Sequence, residues 1–387
     1  MIALTNGKAV TIANGILESA TILIEDGKIK EIGTAGEIKI PAEAEVIDLT
    51  GKWITPGFID AHSHLAMGEP GVKGGGDDDN EMVDPVTAHV RMIDSLDPWS
   101  IGIPAARMGG FTCVCSLPGS ANVIGGTGIA VKLKDAKSVP DLVIPGTEVM
   151  KMALGENPKG CYGSQKRMPM TRMGTGAVLR EALFNAKHYV DQMEDAEKEG
   201  KPFKHDFKMD PLVPVVRGEM RCRIHCHRAD DILTAVRIGE EFGLDFVVEH
   251  CTEGFKVADI LAKKNVKCVV GPLRLIPAKE EIWHCTMENP GILEKAGVEF
   301  ALSADAQTAT RWLPEEAGIA MAYGLSEETA FRALTIQPAK ILKLDDRMGS
   351  LEVGKDADLA IFDGHPLSNT TRCKATMIDG TFWYSDL

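Results

Sequence analysis

The sequence predicts an α/β protein: a distorted (β/α)8 TIM barrel over residues 57–346 beside a small β-sandwich domain built from both termini, 1–56 and 347–387. Three observations carry this expectation. Strand-like apolar runs alternate with helical patterns through about 300 residues of the middle, which implies a parallel sheet with crossovers. Both ends are rich in β-branched runs and Gly turns, and the middle is not. The length, 387 residues, suits two domains or one large barrel with additions. A doubly wound open sheet is the alternative arrangement.

The elements follow in order. Ala9–Ile12, Thr21–Glu25 and Ile29–Ile32 are strands broken by Asn14-Gly15, Asp26-Gly27 and Gly33, and Asp-Gly is a strong hairpin signal. Glu45–Asp48 adds another before Gly51. The middle strands are Gly57–Ala61, Cys113–Cys115, Cys222–His225, Phe246–Glu249, Lys267–Val270 and Phe300–Leu302. Ala229 to Phe242 carries Ile232, Ala235, Val236 and Ile238 at helical spacing. Ser326-Glu327-Glu328-Thr329 starts a helical stretch to Leu342, and Pro338 is expected to break it in two. Gly349–Leu351, Ala357–Phe362 and Ala375–Gly380 return to the β texture of the start. Gly68 to Asn80, with its Gly74–Asn80 run of glycines and aspartates, reads as a solvated loop, a lid or acidic cation site being the other options.

Composition narrows the function classes. Lys plus Arg is 42 and Asp plus Glu is 56, a net charge of −14, which excludes a nucleic-acid partner needing a basic footprint. No apolar run of about 18 residues suggests a membrane span. The start lacks a basic region followed by an apolar stretch, so no signal peptide is expected. Nine scattered cysteines without a CxxC pair argue against disulfides and thiolate zinc, and point to a reducing cytoplasm.

His62-Ser63-His64 closes an apolar run. Side chains at i and i+2 of a strand share a face, so both imidazoles can reach one metal ion. His225, in His225-Cys226-His227, ends a second strand, His250 a third and Asp305 a fourth. In a barrel the C-terminal strand ends converge on one face, where active sites sit.

These residues resemble the amidohydrolase superfamily of metal-dependent hydrolases. Pro56 to His64 is similar to its first-strand motif, His225 and His250 to its fifth- and sixth-strand ligands, and Asp305 to its eighth-strand aspartate. Gln337–Lys340 and Gly349–Leu359 resemble its exit from the barrel into the β-domain. The resemblance spans the whole chain and is strongest to an imidazolonepropionase- and prolidase-related branch, in a subgroup with the run Gly155–Lys159.

It implies a metal centre of His62, His64, Lys151, His225, His250 and Asp305, with zinc expected and manganese or iron also compatible with such donors. A free ammonium cannot bind a cation, but a lysine carbamylated by CO2 can, and Lys151 in the apolar run Val149–Ala153 matches the bridging lysine of dinuclear relatives. Glu156 is the competing bridge, and otherwise serves the pocket. With two metals, a bridging hydroxide attacks the carbonyl of a small cyclic amide or dipeptide-like substrate, and Asp305 is the general base and then acid. His227 could touch substrate and Arg172 could hold a substrate carboxylate. Two other readings stand: a mononuclear deaminase, against which His227 replaces the carboxylate such enzymes place two residues after the fifth-strand ligand, and a non-catalytic scaffold. Gly119–Gly128 lacks a P-loop ending and is expected to be a barrel loop. His89, His188, His205, His284 and His365 receive no role. Relatives are often homo-oligomers.

Overall fold

Two eight-stranded sheets divide the chain in the computed structural model, which describes residues 1–69, 78–306 and 309–387. The first is built from both ends: β1 (Ile2–Val10), β2 (Ile16–Glu25), β3 (Lys28–Thr34), β4 (Glu45–Asp48) and β5 (Trp53–Pro56) precede the second sheet in the chain. The second holds β6 (Phe58–Ser63), β7 (Phe111–Ser116), β8 (Ile124–Lys132), β9 (Val149–Ala153), β10 (Arg221–Cys226), β11 (Phe246–His250), β12 (Lys267–Val270) and β13 (Phe300–Leu302). β14 (Leu359–Phe362), β15 (Cys373–Ile378) and β16 (Thr381–Ser385) then complete the first.

The terminal sheet runs β16-β15-β14-β5-β1-β2-β3. β1 pairs with β4 along Ile2–Thr5 and with β5 at Lys8 and Ala9, so one strand serves two neighbours. The switch falls at Gly7, where a Cβ would lie 2.7 Å from the Ile54 side chain. Asp26 and Gly27 both have positive φ, 50° and 75°, as the expected tight turn requires. Leu4, Ile22, Ile54, Leu359, Ile361 and Met377 form its buried core.

The barrel strands follow one another from β6 to β13. Side chains join the two ends of this sheet: the Ser303 hydroxyl donates to the His62 carbonyl (2.6 Å), and buried Asp60 accepts from the Thr310 hydroxyl (3.1 Å). One strand corrects the all-parallel expectation. β8 runs antiparallel to both β7 and β9, and it takes in half of the glycine-rich segment expected to be a loop. Its glycines hide the strand because they show no apolar alternation, yet the ladder needs them. A Cβ at Gly126 (φ 111°) would meet the Val90 carbonyl at 2.3 Å, and one at Gly128 the Leu117 side chain at 2.4 Å.

The reversal carries Lys132 to the opposite end of the barrel from the strand C-termini. There its ammonium pairs with Asp356 (2.8 Å), Asp358 (3.1 Å) and Asp379 of the terminal segment. Lys134 pairs with Asp379 at the rim (3.1 Å), and Arg347 with Asp356 (2.9 Å).

The helix Ala229–Phe242 ends, as its sequence suggests, at Gly243 with φ 69°. The stretch after Ser326 does split in two, Glu327–Leu334 and Ile336–Ile341, but at Thr335. Pro338 is the third residue of the second helix, where its missing N–H costs no intrahelical bond. Residues 70–77 of the Gly68–Asn80 segment lie outside the described residues; at its end Asn80 accepts from the Ala121 N–H (2.9 Å). All nine cysteines are free, and among the described residues no helix is long and apolar enough to cross a membrane.

Candidate metal centre

Four of the barrel strand ends contribute to one cluster. His62 lies in β6 with His64 just beyond it, His225 lies in β10 with His227 just beyond it, and His250 is the last residue of β11. Asp305 follows β13 by three positions. The backbone bends sharply at two of these positions, with positive φ at His250 (65°) and Asp305 (48°), the kind of conformation that functional geometry imposes on non-glycine residues.

The donors form two groups, within each of which one ligand atom per residue lies within 4.8 Å of the others: His62, His64 and Asp305, and His225, His227 and His250. The groups adjoin, the His250 ring centroid lying 4.7 Å from that of His62 and 4.3 Å from that of His225. Asp305 Oδ1 sits 3.1 Å from His64 Nε2 and 3.4 Å from His62 Nε2. Lys151, fully buried in β9, points into the same space with its Nζ 3.0 Å from His62 Nε2.

Tautomers follow from the partners. His64 Nδ1 lies 2.7 Å from the Leu117 carbonyl and His250 Nδ1 2.9 Å from the Gly271 carbonyl. A carbonyl only accepts, so both Nδ1 atoms carry the proton and both Nε2 atoms present a lone pair. His62 Nδ1 is held at 2.6 Å by Glu249, itself ion-paired to Arg223, which also donates to the Ala61 carbonyl (2.7 Å). An imidazole whose far nitrogen is tied to a carbonyl or carboxylate is the usual form of a metal ligand.

Electrostatics agrees. Burial pushes His62, His225, His227 and His250 well below the usual histidine range, which keeps them neutral and able to donate lone pairs. Burial would raise the Asp305 carboxyl, but His250, His64 and Lys151 outweigh it and hold the group well below the usual carboxylate range. Burial brings the Lys151 ammonium down to about 8. Converging neutral nitrogens and a carboxylate fit a divalent cation centre.

His62, His64, Lys151, His225, His250 and Asp305 are thus brought together, and His227 joins them on the same side as His225. Glu156 is not in either donor group. It faces the loop after β12, its N–H donating to Glu281 (2.8 Å) and its carboxylate accepting from the Glu281 N–H (3.3 Å). Arg172 is bound to Asp231 of the helix Ala229–Phe242 (3.0 Å).

Sequence reasoning missed Arg223, Glu249 and Glu281. The first two had a signal: charged residues inside otherwise apolar strands, Arg223 two positions before His225 and Glu249 one before His250. Glu281 lies in a loop without any motif.

A family model described as the amidohydrolase family matches residues 223–382. The crystal structure of an amidohydrolase from Thermotoga maritima MSB8 covers all of this chain and is itself fully covered, at 42% identity and a TM-score of 0.95. The chain belongs to the amidohydrolase family. This amidohydrolase is also similar to the amidohydrolase tasK of Hapsidospora irregularis, 28% identical over 391 residues, a match covering 94% of this chain but only 40% of that relative. It is 26% identical over 377 residues to the imidazolonepropionase of Maricaulis maris (strain MCS10), covering 90% of this chain and 88% of that one.

Proposed function

We propose that this amidohydrolase hydrolyses a carbon–nitrogen bond, an amide in a small cyclic or dipeptide-like substrate, at a centre for two divalent metal ions. His62, His64 and Asp305 would hold one ion, His225 and His250 the other, and carbamylated Lys151 would lie between. The observation that carries this reading is the pair of adjoining donor groups with a buried lysine beside them. Bound there, divalent metal activates water near neutral pH and polarises the scissile carbonyl.

The chain's own residues do the rest. Lys151, as a free amine, adds its nitrogen to the carbon of CO2 and loses a proton, giving an anionic two-oxygen donor. Asp305, its carboxyl held well below the usual carboxylate range, takes a proton from the attacking water and returns it to the leaving nitrogen. That return matters for an amide, whose nitrogen is a poor leaving group until protonated. Arg223 pairs with Glu249, and Glu249 holds the His62 ring so that Nε2 faces the cluster.

Similarity to an imidazolonepropionase over most of the chain favours a small cyclic amide. Zinc suits the nitrogen-rich donor set. The net charge of −14 favours a small-molecule substrate over nucleic acid, and nine free cysteines favour the cytoplasm. Residues 57–346 would form the catalytic barrel domain, with 1–56 and 347–387 as one composite domain beside it.

The test is metal content per chain by elemental mass spectrometry, after expression with zinc or manganese and bicarbonate and purification without chelator, followed by turnover of cyclic amides and dipeptides. Two metals and hydrolysis are expected. One metal would move the reading to a mononuclear deaminase, and none after reconstitution to a scaffold.

A further inference from the structure

We propose that Glu281, on the loop between β12 and the helix Asn289–Ala296, is a positioning residue for His225. With metal bound, its Oε1 would close on His225 Nε2, now 3.8 Å away, accept its N–H and so turn the Nδ1 lone pair of that imidazole toward the cation. The inference rests on the reading that His225 holds metal.

His225 is the exception among the five imidazoles of the centre. The other four each have Nδ1 tied to the protein, His227 through the Thr252 hydroxyl (2.7 Å). His225 Nδ1 is buried without any hydrogen-bond partner among the described residues. If that atom faces a cation, Nε2 carries the proton and needs an acceptor. Asn157 is near, its side-chain nitrogen 3.4 Å away, but it is the wrong kind of group. Its oxygen accepts from Lys279 (2.8 Å) and its nitrogen donates to Ser120 (2.8 Å), so what it turns toward His225 is a donor.

Glu281 has what is missing. Its side chain is completely buried, and the partner of Oε1 is a single flexible cation, the Lys279 ammonium. Oε1 lies 3.8 Å from Nε2 of both His225 and His227. Its other oxygen is fixed by the Glu156 N–H, and the carboxylate passes so close to Gly155 (φ 83°) that a Cβ there would lie 2.7 Å from Oε2. Lys279, 2.5 Å from Oε1, balances the charge and competes for that oxygen. Bringing the gap to an N–H···O distance of about 2.9 Å needs a loop shift of about 1 Å.

The experiment compares wild type with Glu281→Leu, Glu281→Gln and Lys279→Met. It measures stepwise zinc affinity by chelator competition, the visible spectrum after cobalt substitution, and the melting temperature of the metal-free protein. Glu281→Leu should weaken one ion by about 10–100-fold, leave the other near wild type and change the spectrum of one cobalt. Glu281→Gln keeps a carbonyl acceptor and should recover most of the affinity. Lys279→Met frees Oε1 and should tighten the same ion, which keeps the idea testable should Glu281→Leu fail to fold. Unchanged affinities in Glu281→Leu, or equal weakening of both ions with a lower metal-free melting temperature, would overturn the assignment, as would a Lys279→Met protein that binds no tighter. If wild type takes up a single ion, the dinuclear reading fails separately. Loss of that ion in Glu281→Leu would then keep Glu281 as the partner of His225, and its retention would remove it.

Discussion

Two buried lysines on adjacent strands have opposite fates. Lys132, at the end of β8 with a side chain 5% exposed, is ringed by Asp356, Asp358 and Asp379. Burial works against its charge, but the three carboxylates outweigh it and raise its pKa above the ordinary lysine value. Lys151, in β9, makes no ion pair among the described residues, and burial brings it down to about 8. Burial alone therefore does not decide what a lysine is. The number of anions it is buried with holds one as a cation tying the barrel to the terminal segments, and leaves the other an ammonium that gives up its proton more readily than an ordinary lysine.

The same substitution at both positions is the sharpest way to break this comparison. Lys151→Met should take hydrolysis to background and cut bound metal below two per chain, measured by turnover and elemental analysis. The metal-free melting temperature should stay the same or rise, because methionine fills the space without a desolvated amine. A Lys151→Met enzyme that keeps two metals and full turnover would place the bridge elsewhere, with Glu156 the next residue to test.

Lys132→Met should do the reverse. It leaves Asp356 and Asp358 buried without their shared cation, and breaking such a cluster costs about 3–5 kcal/mol. Denaturant unfolding should show that loss, while any folded fraction keeps its metals. If Lys132→Met unfolds no more readily than wild type, the aspartates are less tightly held than their distances imply.

The pH dependence separates the two further. For Lys151 the folded pKa, about 8, is below the ordinary value of 10.5, so the unfolded chain binds more protons between them. Stability of the metal-free protein should therefore rise with pH through that window, and the rise should vanish in Lys151→Met. For Lys132 the folded pKa is raised, so its contribution is complete below 10.5 and is lost only as pH climbs through the still higher folded value. Bicarbonate-dependent metal uptake should likewise increase from pH 7 to pH 9 in wild type, as more of Lys151 becomes free amine.

How much of this could be read in advance differs between the two lysines. Lys151 was legible because an ionisable residue in the apolar run Val149–Ala153 conflicts with its surroundings. The histidines were legible because strand alternation and strand ends are local properties of the sequence. Lys132 was not. Its carboxylate partners lie 224 to 247 positions away, and the strand that delivers it begins with glycines that mask its direction. Glu281 was hidden for a similar reason: an acidic residue in a loop looks solvated until the fold lays that loop against the β10 strand end. The Thr335 break was misplaced because proline is tolerated in the first turn of a helix, so Pro338 marked a helix near its start and not its end.

The smallest expected effect tests whether the Lys132 cluster is a core or a rim device. Lys134 also pairs with Asp379, but its side chain is 29% exposed and that of Asp379 38%. Water screens such a pair, and exposed pairs contribute about 0–1 kcal/mol. Lys134→Ala should therefore shift the unfolding midpoint by at most that amount, against the several kcal/mol expected for Lys132→Met. Comparable losses from the two would mean that net positive charge near Asp379, rather than the buried ammonium shared by Asp356 and Asp358, holds the terminal segment to the barrel. The contrast with Lys151 would then be one of local potential and not of buried partners.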